Sequence, residues 1–279
     1  MVCLAVALTG STGCAVDSSS DLSPDAEQAL ADALTTPEFV RSDQVSFGRA
    51  PQNTAELQSL VHPDFSNASA DAKKVIAWLD AHPNVHESVY LGDVQTWVYD
   101  TDANYRANVH TLVSTVHAAK PNRLLLYFEE ENASHAPHPV SAAHGQALRT
   151  LTHSATLLCA TYLNGPDSHT DEIDVVMEWR KHYHDELGVP LTAMMIDIDT
   201  SQTPNSFYYG TRGDLANFNH IVVWALNSAY AHGFAGFHTY GNVGGHFGTL
   251  RAADSTYAAL DNAWSSLVKA HPHQKFTGI

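Results

Sequence analysis

Two stretches of this chain run from apolar residues straight into clustered carboxylates. "LLLYFEEEN" at 124–132 ends in Glu129, Glu130 and Glu131, and "MMIDIDT" at 194–200 carries Asp197 and Asp199. Adjacent like charges repel, and a buried carboxylate costs several kcal/mol unless it is paired. Read singly, the first stretch is a solvated loop start and the second a strand end that caps a turn. Two strand ends with the same polarity pattern point instead to one shared site. Converging carboxylates suit general acid chemistry beside a nucleophile or base, because neighbouring charge keeps one carboxyl protonated while its partner ionises. They also suit a divalent cation.

Side chains alternate across a strand, so parity sorts the candidates. Ala193, Met195, Asp197 and Asp199 share one face, with Met194, Ile196 and Ile198 on the other. Tyr127, Glu129 and Glu131 share a face, and Glu130 is expected to look toward helices or solvent. In "GFAGFHTY" at 233–240 the polar set is Gly236, His238 and Tyr240. The expected catalytic residues are therefore Glu129, Glu131, Asp197 and Asp199. Asp93, Trp97, Tyr127, His238 and Tyr240 are expected to bind substrate. Aromatic rings beside carboxylates suit sugars, offering flat apolar faces with polar tips.

Other chemistries are less well supplied. His135 and His138 follow in "ENASHAPHP", and with Glu131 and Asp197 they would make a zinc- or manganese-type donor set. Metal-binding strands and helices usually show His-x-His or His-x-x-x-His, and neither occurs at these strand ends. In "HYH" at 182–184 the two histidines of a helix point about 200° apart and do not chelate together. No metal and no cofactor is expected. No Gly-x-Ser-x-Gly elbow and no Gly-rich phosphate loop occurs. Cys159, in "SATLLCATYLNG", reads as an inert buried thiol.

The elements that would position these residues alternate. Strand-like runs occur at 88–93, 123–130, 155–163, 192–200 and 233–240. Helical periodicity fills 102–119, "HPVSAAHGQALRTL", 171–188, 214–233 and 255–271. Asp171 and Asp214 open two of these helices, and Gly188 with Pro190, and Gly233, close them. A further strand is expected at "DQVSFGR" (43–49) before the helix "ADAKKVIAWLDAH", and another in the terminal "KFTGI". Alternation with short connections predicts a parallel sheet with right-handed crossovers. Polar and aromatic residues stand at nearly every strand's carboxyl end, which favours a (β/α)8-type barrel over an open doubly wound α/β sheet.

The 279-residue chain carries 30 acidic against 14 basic residues, for a formal charge of −16. That surface repels nucleic acid and anionic lipid, so neither is an expected partner. Its 18 histidines can add positive charge in a mildly acidic medium. The apolar run "VCLAVALTG", too short to span a bilayer as a mature helix, is followed by "STGC" and a polar stretch. This order resembles the lipobox of bacterial lipoproteins, which implies cleavage at Cys14 and its lipidation. The expected organisation is a leader over 1–14, a polar tether over 15–41 and a single α/β barrel over 42–279. Only Cys159 remains beyond Cys14, so no disulfide framework is expected in the exported domain.

From residue 42 onward the layout is similar to secreted barrel glycoside hydrolases in architecture. The expected protein is an exported or lipid-anchored monomer that hydrolyses a polysaccharide or cell-wall glycan. The competing expectations are a metal-dependent hydrolase and a non-catalytic saccharide-binding lipoprotein.

Overall fold

A computed structural model describes residues 38–43, 54–56, 60–83, 88–129, 142–161, 176–177, 179–199, 215–240 and 254–278. Within them strands and helices alternate in the order β1 (Phe39–Asp43), β2 (Thr54–Glu56), α1 (Ala68–Ala81), β3 (Ser88–Gln95), α2 (Thr96–Thr101) and α3 (Ala103–Ala119). There follow β4 (Arg123–Glu129), α4 (Ala142–Leu151), β5 (Thr156–Thr161), β6 (Met194–Asp199), α5 (Leu215–Ala231), β7 (Gly236–Tyr240), α6 (Asp254–Ala270) and β8 (Phe276–Thr277). A π-helical segment, Arg180–Glu186, precedes β6.

The eight described strands form one sheet in the order β2-β3-β4-β5-β6-β7-β1-β8, and each of their ladders is parallel. The sheet curls on itself. Tyr90 of β3 and His238 of β7 stand four strands apart, yet their rings lie parallel with centroids 6.3 Å apart. Arg123 at the start of β4 reaches Glu38, just before β1, at 3.0 Å. This is the architecture of a (β/α)8-type barrel, as the alternation predicts, and not an open doubly wound sheet.

Parity divides the core into two layers. Leu124, Leu126 and Phe128 of β4 and Met194, Ile196 and Ile198 of β6 pack outward in one large cluster with the helices. Val40, Tyr90, Leu125, Leu158, Met195 and Ala235 fill the inside, with Tyr127 against them. Each fully buried Leu or Ile adds roughly 1.5–3 kcal/mol of transfer free energy, so the strand runs hold both layers. α3 shows how a helix is placed over them. Asp102 caps it, accepting from the backbone N–H groups of Asn104 and Tyr105 at 2.8 and 3.1 Å. Its apolar stripe of Tyr105, Val109, Leu112, Val113 and Val116 is buried.

Some boundaries differ from the sequence expectation. The first strand is Phe39–Asp43, on the N-terminal side of the expected 43–49 stretch, whose remainder lies outside the described residues. Its pattern is obscured by Arg41, a charge at a position packed against a helix; the guanidinium is fully buried and meets Asp261 of α6 at 2.8 Å. β2 has no sequence expectation. Residues 191–193 form a 3-10 turn rather than the start of β6, and β7 begins at Gly236. Residues 180–186 adopt π rather than α geometry. His182 and His184 there contact separate partners, Glu186 at 3.1 Å and the Val189 carbonyl at 2.8 Å.

Candidate active site

The inside of the barrel is apolar at its floor and polar toward the carboxyl ends of the strands. Ladder register sets the polar level: Ser42 of β1 lies opposite His238 of β7, His238 opposite Asp197 of β6, and Asp197 opposite Ala160 of β5. On the far side of β5, Phe128 lies opposite Cys159, so the next step of the ladder brings Glu129 level with Ala160. Glu129 in turn pairs with Gln95 of β3. Glu129 and Asp197 thus occupy the same level two strands apart, roughly 10 Å between Cα atoms at ordinary strand spacing. The small Ala160 stands between them.

Asp197 and His238 form the centre of what is described. The imidazole Nδ1 makes a short hydrogen bond to Asp197 Oδ1, with both side chains almost wholly enclosed. Burial raises the Asp197 pKa above the ordinary aspartate range; the His238 charge and hydrogen bond and the Ile198 amide pull it back only in part. An ionised carboxylate only accepts, so with Asp197 ionised and the imidazole neutral the hydrogen sits on Nδ1, which donates. His238 Nε2 is also buried, and it has no hydrogen-bond partner among the described residues. An imidazole nitrogen left so costs about 1–3 kcal/mol.

Tyr90 extends this arrangement to β3. Its ring lies within 8° of the His238 plane, and its hydroxyl donates to Asp93 Oδ1 in a short hydrogen bond. Tyr90 and Asp93 are three residues apart, which simple alternation would put on opposite faces. A bulge explains the departure: the register with β4 shifts between Tyr90 and Gly92, and Gly92 has φ 136°, a conformation that favours glycine. Asp93 then lies opposite Tyr127, on the inner face.

The sequence-derived residues are distributed as follows. Asp197 and His238 touch. Asp93 reaches them through Tyr90, and Tyr127 is half-buried on the same face. Glu129, Asp199 and Tyr240 close their strands with inward parity, Asp199 opposite Tyr240, and their side chains lie outside the described set. Trp97 stands in α2, 39% exposed. Glu131, His135, His138 and Cys14 lie outside the described residues. Tyr90, Ser42 and Gln95 share the inner face and were not singled out from the sequence. The glycine inside "VYLGD" was the available signal, since an isolated glycine in a strand marks a bulge.

Among the described residues no group of three or more His, Cys, Asp or Glu side chains is placed to hold a metal. Likewise no described helix is long and apolar enough to cross a membrane. Cys159 is buried in the outer layer, away from the inner face.

No protein-family model and no curated protein matches the chain. Among solved structures it is similar to a glucosidase from Croceicoccus marinus, at 11% identity and TM-score 0.48 over 88% of this chain and 64% of that one. It is similar to TcOYE with pHBA at 8% identity and TM-score 0.45, covering 86% and 84% of the two chains. It is also similar to xylanase 10B from Thermotoga petrophila in complex with xylobiose, at 13% identity and TM-score 0.42, covering 86% and 97%. At identities this low no site residue transfers, and the chemistry is argued from this chain's own side chains.

Proposed function

We propose that the chain is an exported, glycosidase-like hydrolase acting on a polysaccharide or cell-wall glycan. The observation that carries the proposal is the gathering of carboxylate positions of inward parity, Glu129 on β4 with Asp197 and Asp199 on β6, at the carboxyl ends of these strands. This is the end of a parallel barrel where strand termini and following loops converge on one space. In this reading Glu129 or Glu131 protonates the leaving oxygen, and Asp197 or Asp199 supplies the nucleophile or base. Asp93, Tyr127, Tyr240 and Trp97 hold the sugar. Carboxyl groups about 5 Å apart give retention, and roughly 6.5–9.5 Å gives inversion, so the product anomer reports their spacing.

The test is a screen of purified protein against polysaccharides for released reducing ends, with and without EDTA. Hydrolysis that survives EDTA, with a bell-shaped profile centred at about pH 5 to 6, is the expected result. Activity abolished by EDTA and restored by zinc or manganese would replace this reading with a metal-dependent hydrolase and bring His135 and His138 into the site.

A second reading rests on Trp97, which at 39% exposure is one of the two most exposed large apolar side chains described. An exposed indole at this end suits a protein that binds saccharide without cleaving it. Binding to a glycan array with no release of reducing ends would select that reading. An E129Q variant that keeps affinity and loses turnover would select the enzyme.

A further inference from the structure

The Asp197–His238 pair uses only one edge of the imidazole. Nδ1 is committed to Asp197, which is 2% exposed. The other ring nitrogen is Nε2. It is buried without a hydrogen-bond partner among the described residues. Tyr90 lies parallel to the ring and turns its hydroxyl to Asp93, so it gives Nε2 no donor. A buried acceptor with no donor among the described residues is matched when a ligand brings one.

We infer that His238 Nε2 is the acceptor this site presents to a sugar hydroxyl, and that Asp197 is a positioning residue acting through His238 rather than on substrate. The ligand class rests on the glycan-hydrolase reading; the assignment of Nε2 rests on the geometry. Donation from Nδ1 to the carboxylate fixes the tautomer and makes Nε2 a better acceptor, as a carboxylate does for a histidine elsewhere. Of the two β6 carboxylates, the one that meets substrate is then Asp199, two residues further along the same face.

Two measurements test this. Long-range proton–nitrogen NMR of histidine-labelled wild-type protein reads the tautomer with no ligand and no variant. The expected spectrum shows His238 with Nδ1 protonated and Nε2 bare; a proton on Nε2 overturns the assignment. The second compares wild type, H238N and D197N on 4-nitrophenyl glycosides of glucose, xylose, galactose and N-acetylglucosamine. Asparagine at 238 keeps a donor for Asp197 and deletes Nε2. H238N is expected to melt like wild type and to lose about 100-fold or more in kcat/KM, the scale of a well-placed proton-handling contact. D197N should lose less and show a displaced pH profile. H238N as active as wild type overturns the inference. Wild type inert toward all four glycosides would count against the hydrolase reading alone, and the NMR result would then decide the Nε2 assignment by itself.

Discussion

Asp197 carries a thermodynamic signature separate from its role in the site. Its pKa is raised in the folded protein, chiefly by burial. Below the unfolded value of about 3.9 the group is protonated in both states and contributes nothing to pH dependence. As pH rises past that value the unfolded chain ionises while the folded one resists, so this group's contribution to stability falls until the folded pKa is passed. D197N lacks that loss. The melting temperature of D197N minus that of wild type should therefore increase between pH 4 and neutrality. A difference that stays flat or shrinks over that range would contradict a raised Asp197 pKa. Trp97 gives the opposite kind of test, since its indole is partly in solvent. W97A should leave the melting temperature unchanged and weaken glycan binding by about 1 kcal/mol, read by calorimetry on a ligand from the array.

At the scale of elements, the seam between β1 and β7 leaves no room for a side chain at Gly236. A Cβ added at Gly236 would lie 2.1 Å from the Val40 carbonyl oxygen and 3.0 Å from Met195 Cε. The first neighbour is backbone in a parallel ladder, so the strands must separate. G236A should cost about 3 kcal/mol in a urea melt, at the top of the usual overpacking range. The alternation of elements, the inner and outer faces of β4 and β6, and the inward parity of Asp197 and of His238 were legible in "LLLYFEE", "MMIDID" and "GFHTY"; the bond between the two was not. Parity fails where the backbone breaks its own rule. The bulge at Gly92 turns Asp93 inward, and β1 conceals its strand character behind Arg41. Both depend on partners distant in sequence, a shifted register with β4 and a carboxylate on α6. The position of β8 was equally hidden, because "KFTGI" shows a strand and not which neighbour it will choose.

Over the whole molecule, Glu38 ties together three distant parts of the chain. It accepts from the Thr277 hydroxyl in a short hydrogen bond, and pairs with Lys275 and Arg123, each at 3.0 Å. Burial raises its pKa, but the Thr277 and Lys275 hydrogen bonds and the two cations lower it further, leaving it below the ordinary glutamate value. A depressed carboxyl pKa gives stability that is present above the unfolded value and lost as pH falls through the folded one. E38Q should therefore cost most near neutrality and least at about pH 3, below the unfolded glutamate value. A thermal-melt series checks this, and a cost that grows in acid would refute it. These contacts hold β8 on the outer side of β1, where Phe39 pairs with Phe276 and Val40 with Thr277, and the Glu38–Thr277 bond spans 239 positions. β1 therefore lacks one of its neighbours until residues some 239 positions downstream of Glu38 are in place. Such long-range closure is slow.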